Sequence, residues 1–326
     1  MRIFSGIQPT GAKHLGNYAG GFRQYAASQE RGEGFFCIVD LHSITVEYDP
    51  VELRERTLDL FAMLLATGLD PERSTVFVQS HVTAHSEAAW MLGSVTSFGE
   101  LRRMTQFKDK ADQQEFISAG LFTYPVLQAG DILLYQTDVV PVGEDQRQHV
   151  ELTRDVAARF NSRYGDTFVV PRVEVPTIGG KVMDLQEPDK KMSTTGGTPQ
   201  GTVLMLDPPD VVRRKFKTAV TDSGREIVHA EDKAGISNLI EIMTVTTGES
   251  IPTIEKRFDG EGYGAFKEAV AESVVALLEP IRARCDELRG DPAELHRLLA
   301  RGAEKAREVS APTLAAMYER MGFARL

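Results

Sequence analysis

Three separated stretches of this sequence combine residue types suited to handling a phosphate. The first, Ser5-Gly6-Ile7-Gln8-Pro9-Thr10-Gly11-Ala12-Lys13-His14-Leu15-Gly16-Asn17-Tyr18, carries glycine at 6, 11 and 16 and runs into an expected helix over 18–28. A glycine-permissive loop feeding a helix N-terminus offers free backbone N–H groups and a favourable dipole to an anion. His14 and Asn17 would add side-chain donors, although a lone loop histidine is also commonly just solvated. The second stretch, Val142-Gly143-Glu144-Asp145-Gln146, ends an expected strand and begins a helix. Carboxylates there accept from ribose hydroxyls or an ammonium group, or simply cap the helix. The third, Lys190-Lys191-Met192-Ser193-Thr194-Thr195-Gly196-Gly197, joins two lysines to hydroxyl residues and paired glycines. It suits a loop closing over polyphosphate, and equally a basic surface loop.

Other patterns are discounted on chemical grounds. The glycine spacing over 196–202 resembles a P-loop but lacks the lysine that reaches the phosphates. No Gly-x-Gly-x-x-Gly follows the first strand. His81 and His85 have the spacing of a helical metal pair, but Val82 stands where a zincin needs glutamate, so they read as two polar residues near a helix start. No resident metal is expected.

The elements that must position these motifs alternate. Apolar, β-branched or aromatic runs over 2–7, 35–40, 74–80 and 139–143 read as strands. Between the second and third, Asp49 is a plausible N-cap with Pro50 at the first helical position and Glu52 completing a box-like pattern. Leu53, Leu60, Met63 and Leu64 then share a face, and Gly68 stops the helix. A long amphipathic segment covers 145–164. Strands alternating with helices argue for an α/β fold, a Rossmann-like parallel sheet flanked by helices. The rhythm changes near Gly196. Beyond Val211 only helical patterns appear, over 211–219, 236–245, 265–288 and 292–320. The expected organisation is a catalytic unit over 1–200, with a helical insertion about 100–135, and a mainly helical unit over 201–326 whose last helix packs back on the first.

The chain has 326 residues, 42% hydrophobic and 26% charged, with 37 Lys+Arg against 47 Asp+Glu. That composition excludes a disordered chain, a collagen and a coiled coil. No apolar run approaches a membrane span, and the N-terminus lacks the features of a signal peptide. Two widely separated cysteines, Cys37 and Cys285, cannot build a disulfide framework. A soluble, cytoplasmic protein is expected. Net charge −10 excludes an indiscriminate nucleic-acid binder. It does not exclude a selective one, because Arg213, Arg214, Lys215 and Lys217 cluster without an acid over 211–217.

In this order, the three phosphate-type motifs resemble those of class I aminoacyl-tRNA synthetases. His14-Leu15-Gly16-Asn17 is similar to the HIGH signature, and Lys191–Thr195 to KMSKS. Within the class, the blocks at 5–9, 143–146, 151–155, 218–223 and 235–239 resemble the bacterial-type tryptophanyl-tRNA synthetase family over essentially the whole chain. The resemblance implies activation of L-tryptophan with ATP, release of pyrophosphate and transfer to the 3′ end of tRNA(Trp), in a homodimer whose helical part contacts the anticodon. It implies that His14, Asn17 and Lys191 serve catalysis, and that Gln8, Pro9, Thr10, Gly16, Asn17, Gly143, Glu144, Asp145, Val182, Lys191, Met192, Ser193, Thr194 and Thr195 contact ATP. Magnesium should arrive with the nucleotide.

Tryptophan specificity also has an argument from the residues. The apolar helix over 124–134 contains one carboxylate, Asp131, four positions after Leu127 and so facing inward. A buried carboxylate needs a donor, supplied either by an arginine or by a ligand. The indole N–H is donor-only and matches such an acceptor. By the resemblance, Phe4, Gly6, His42, Gln128, Val140 and Val142 line the slot, while Tyr124 and Gln146 hold the amino group. Three positions depart from the family pattern. Asn17 replaces the second HIGH histidine, Gln128 stands where many members have methionine, and Thr194 replaces the second KMSKS lysine. Either Lys191 suffices, or Lys110 supplies the missing charge. A tyrosyl-tRNA synthetase-like enzyme and a catalytically weak, tRNA-binding paralogue are the alternative readings.

Overall fold

A computed structural model describes residues 1–107, 116–175, 182–194 and 196–324. Five parallel strands, β1 (Arg2–Ile7), β2 (Glu33–Ile38), β3 (Thr75–Val78), β4 (Val139–Pro141) and β5 (Arg172–Glu174), lie in the order β3-β2-β1-β4-β5. Phe4 sits opposite Phe35, Ile3 opposite Val139, and Val140 opposite Val173. The strand order reverses at β1, so the loops leaving β1 and β4 diverge to opposite faces and open a crevice at their carboxyl ends. β5 was not anticipated. It is three residues long, with charged Arg172 and Glu174 around one valine, and Glu174 is held by a two-pronged bond from Arg31 at 2.6 and 2.7 Å.

Along β2, Phe35 and Cys37 point to one face of the sheet and Phe36 and Ile38 to the other, and all four are fully buried. A sheet covered on both faces has this property, which explains why the run lacks polar alternation. Each such aromatic or aliphatic side chain contributes roughly 1.5–3 kcal/mol by leaving water.

In the first half the helices are α1 (Leu15–Asn17), α2 (Arg23–Ser28), α3 (Asp40–Ser43), α4 (Pro50–Ala66), α5 (Ala84–Gly93), α6 (Phe98–Arg102), α7 (Ala119–Leu133) and α8 (Arg147–Tyr164). At the start of α4, Asp49 Oδ1 accepts from Glu52 N–H at 2.8 Å, and Gly68 closes it at φ +105°. The helix expected over 18–28 is instead a wide π-type turn, Tyr18–Phe22, followed by α2. Gly20 and Gly21 lie in that wide turn. Beyond Pro208 come α9 (Pro209–Lys217), α10 (Ala234–Thr247), α11 (Ile251–Arg257), α12 (Tyr263–Gly290) and α13 (Pro292–Arg320). The seven-residue α11 had no separate sequence expectation.

One core joins Phe36, Ile38 and Val76 to Leu60 and Leu64 of α4 and to Phe216, Ile240, Val274 and Leu278 of the later helices. The other face packs Phe4, Phe35 and Phe77 against Ile132, Val150 and Phe160, and against Ala306 and Met317 of α13. Gly302 makes that last contact possible, since a Cβ there would lie 1.9 Å from the Val76 carbonyl. The basic cluster on α9 is partly spent internally. Lys215 is buried, donating to Asp207 at 2.7 Å and to the Thr202 carbonyl, and Arg213 pairs with Glu272. Arg214 and Lys217 are exposed.

Candidate active site

At the ends of β1 and β4 lies a crevice of about 530 Å³. The N-terminal loop forms one wall. Leu15 N–H donates to the Val203 carbonyl, and Met205 N–H to the Lys13 carbonyl, so the chain after the lysine-bearing loop straps the His14 segment from below. The His14 backbone N–H donates to Asn17 Oδ1 at 3.0 Å, which commits that oxygen and leaves the Asn17 amide NH₂ on the crevice side. The His14 ring lies against Gly16, where a Cβ would sit 2.9 Å from Nδ1, so only glycine fits beside it.

His14 is 8% exposed and its Nδ1 has no hydrogen-bond partner among the described residues. Burial, then Lys13 and Lys191, push its pKa down to about 4. The ring is therefore neutral at pH 7 and serves as a hydrogen-bonding group rather than a cation. Between its ordinary value of 6.5 and about 4, the unfolded chain binds a proton that the folded chain does not, so stability falls as pH drops through that window. His14→Gln should lose less thermal stability than wild type between pH 7 and pH 4.5. Equal losses in parallel melts would contradict the depressed histidine.

Lys13 was not singled out by the sequence. Its Nζ donates to the carbonyls of Gln8 (2.7 Å) and Thr10 (2.8 Å), pinning the turn, and burial followed by Arg56 lowers its pKa to about 8. Gln8, Thr10 and Lys191 also line the crevice. Lys191 is exposed and bridges to Met183, whereas Lys190 is bound to Glu187. Val182 and Met192 are core residues, joined by the bond from Met192 N–H to the Val182 carbonyl. Asp184, fully buried, anchors this loop by accepting from the backbone of Gln186, Glu187 and Thr198 and from the Thr198 hydroxyl. Gly196 N–H donates to Ser193 Oγ, and Thr194 is exposed facing Gly11. Pro9, His14, Val182, Met192, Ser193 and Thr194 adjoin the crevice without lining it. Lys110 and Thr195 lie outside the described residues.

The far wall comes from β4 and the turn after it. Val140, Val142, Gly143, Asp145 and Gln146 line the crevice, and Gln146 donates to Asp145 Oδ2 at 2.9 Å. Glu144 does not line it, because its carboxylate is forked onto Arg147 at 2.6 and 3.0 Å. Deeper in, Phe4, Gly6, His42, Tyr124 and Gln128 surround an apolar slot with Asp131 at its floor. Tyr124 Oη meets His149 Nε2 at 2.6 Å, and burial raises the phenol to about 12.

Asp131 is 1% exposed, and its partner is not an arginine. Oδ2 meets His42 Nε2 at 2.8 Å, while Oδ1 accepts from Gln79 Nε2 and meets His85 Nδ1, both at 2.6 Å. Burial alone would raise this carboxyl, but the bonds from His42 and His85 prevail and hold it at about 2. His85 does stand at a helix start, in the first turn of α5, but it is a buried partner of Asp131, a pairing that the sequence did not disclose. His81 is exposed, but His85 is wholly buried beneath the slot. The signal was available, since Ala84, Ala88, Met91 and Leu92 place His85 on the apolar face of α5.

The site thus offers neutral or cationic donors around one open chamber and a single anionic acceptor at the floor of an apolar slot. Residues 1–279 match the family model described as tRNA synthetases class I (W and Y). The chain is 53% identical over 326 residues to Tryptophan–tRNA ligase 2 of Streptomyces avermitilis, spanning 99% of this chain and 97% of that one. Tryptophan–tRNA ligase of Listeria monocytogenes is likewise 53% identical, over 99% of this chain and 98% of its own length. Among solved structures, tryptophanyl-tRNA synthetase from Mycoplasma pneumoniae superposes with TM-score 0.90 at 36% identity, covering 99% and 98% of the two chains. The Campylobacter jejuni enzyme complexed with ADP and tryptophan gives 0.87 at 34%, covering 99% and 100%. The chain belongs to the class I aminoacyl-tRNA synthetases of the tryptophan and tyrosine group. Within that group it falls in the tryptophanyl-tRNA synthetase family.

Proposed function

We infer that this chain is a tryptophan–tRNA ligase, activating L-tryptophan with ATP and passing it to tRNA(Trp). The observation that carries the substrate choice is Asp131, a charged acceptor at the end of an apolar slot. In activation, a tryptophan carboxylate oxygen bonds to the α-phosphorus and the bond to the β-phosphate bridging oxygen breaks, releasing pyrophosphate. The nucleophile is already ionised, so the reaction asks for in-line positioning and for positive charge and donors around the phosphates. Neutral His14, the Asn17 amide and Lys191 meet that demand, with Gln8, Pro9, Thr10, Gly16 and the 192–195 segment around the nucleotide. Gly143 and Asp145 face the ribose side. Tyr124 and Gln146 hold the ammonium group, and Phe4, Gly6, His42, Gln128, Val140 and Val142 enclose the ring.

Magnesium, when bound, would neutralise phosphate charge. The crevice fits an ion carried by the nucleotide, because Asp131 is engaged by three donors and Asp145 is the remaining acid lining it. Lys110 is a second candidate cation beside Lys191, and normal pyrophosphate exchange in Lys110→Ala would exclude it. Residues 1–200 form the catalytic unit and 201–326 the anticodon-binding unit in this reading. Charging of purified tRNA(Trp) with labelled tryptophan tests the whole proposal. Adenylate formation without charging would favour the regulatory paralogue.

The same reading makes the protein a homodimer. A groove of about 820 Å³ runs between α5 and α7, lined by Leu41, Ile44, Leu101 and Val126, with Trp90 on its rim 85% exposed. Phe98 and Phe116 nearby are 68% and 81% exposed. Exposed aromatic side chains around an apolar groove support this face as the subunit contact. Trp90→Glu should yield a monomer in light scattering, and an unchanged mass would reject this face as the interface. No described helix is long and apolar enough to cross a membrane.

A further inference from the structure

Beneath the tryptophan slot lies a buried polar cluster whose deeper members touch no part of the crevice. His42 lines the crevice and Gln79 and His85 do not, so the oxygen bound by His42, Oδ2, is the crevice-side oxygen of Asp131. Oδ1 is saturated from the protein side by Gln79 and His85, each at 2.6 Å. A carboxylate has about four lone-pair sites, so three are filled and one, on Oδ2, is left for a ligand. Gln79 is fixed in turn, because its Oε1 takes the Leu41 N–H at 3.1 Å. His85 is fully buried, with Nε2 2.9 Å from Tyr135 Oη and its ring packed near Phe77 and Tyr135. With the Tyr135 hydroxyl donating to Nε2, the proton of the ring sits on Nδ1 and faces Asp131.

We propose that His85, held by Tyr135, positions the Asp131 carboxylate so that its one unfilled lone pair faces the indole N–H. His85 is a positioning residue for amino-acid specificity that touches no substrate. The inference rests on the reading of Asp131 as the indole acceptor, and the test separates the two.

The full chain is assayed by ATP–pyrophosphate exchange with L-tryptophan and with L-β-(benzothiophen-3-yl)alanine, which keeps the two-ring shape but has sulfur in place of N–H. Wild type should prefer tryptophan by about 10- to 100-fold in kcat/KM, the range of a hydrogen bond to a charged group. His85→Leu should reduce that preference about tenfold, through the tryptophan KM, with kinetics toward the sulfur analogue little changed. His85→Asn carries an amide N–H at the Nδ1 position and should hold the preference within about threefold of wild type. Tyr135→Phe should fall between the two, and it supplies the test if His85→Leu does not fold. Losses shared equally by both substrates, or an intact preference in His85→Leu or Tyr135→Phe, would overturn the positioning role while leaving Asp131 as the acceptor. No preference in wild type would remove the Asp131 reading and this inference with it.

Discussion

Asp131→Asn should lower kcat/KM for tryptophan-dependent pyrophosphate exchange by about 1.5–3 kcal/mol, or roughly 10- to 150-fold, with the KM for ATP unchanged. The replaced group is a carboxylate 1% exposed that takes bonds from Gln79, His42 and His85. An asparagine offers one acceptor oxygen where the site needs two. If its oxygen stays with Gln79 and His85, its NH₂ faces His42 and the slot, where it opposes the indole N–H donor against donor. The reverse orientation leaves buried donors unpaired, at about 1–3 kcal/mol each. Either way the loss falls on recognition of the ring. Tryptophan kinetics within twofold of wild type would show that another group reads the indole.

Lys191→Met should have the second large effect, lowering the rate of adenylate formation by about 10²–10³, or ~2.7–4 kcal/mol, with the tryptophan KM little altered. Charge develops on the departing pyrophosphate, and Lys191 is the lysine of its loop that faces the crevice. Lys190 is occupied by Glu187, and Thr194 brings no charge where the related motif has a second lysine. Of the other donors near the chamber, His14 and Asn17 are neutral and the Lys13 ammonium is bound to the Gln8 and Thr10 carbonyls, which concentrates the electrostatic task on Lys191. Single-turnover measurement of adenylate formation reads the effect directly. A loss below about fivefold would mean that another cation carries the phosphates.

How far the sequence discloses this site follows from where the information lies. The N-terminal loop is legible because its glycines, His14 and Asn17 are neighbours in the chain, and the spacing itself prescribes a loop entering a helix. Asp131 is legible as an inward carboxylate because an apolar helix surrounds it. Its partners are not, since Gln79 and His85 lie 52 and 46 positions away and nothing local in either segment points to the other. Lys13 hides for a different reason. A lysine in a polar loop looks solvated, and only the folded turn shows its ammonium bound to two carbonyls. Among the strands, β1 to β3 announce themselves by apolar runs, whereas Arg172–Glu174 owes its pairing to β4 rather than to its own composition. The basic run on α9 misleads in part, since Lys215 turns inward to Asp207.

The most direct test of the central claim is amino-acid-dependent ATP–pyrophosphate exchange by the purified, magnesium-supplied protein, run with each of the twenty amino acids in turn. Exchange driven by L-tryptophan, with L-tyrosine and L-phenylalanine at background, is the predicted result. Exchange driven by tyrosine, or none with any amino acid, would contradict it.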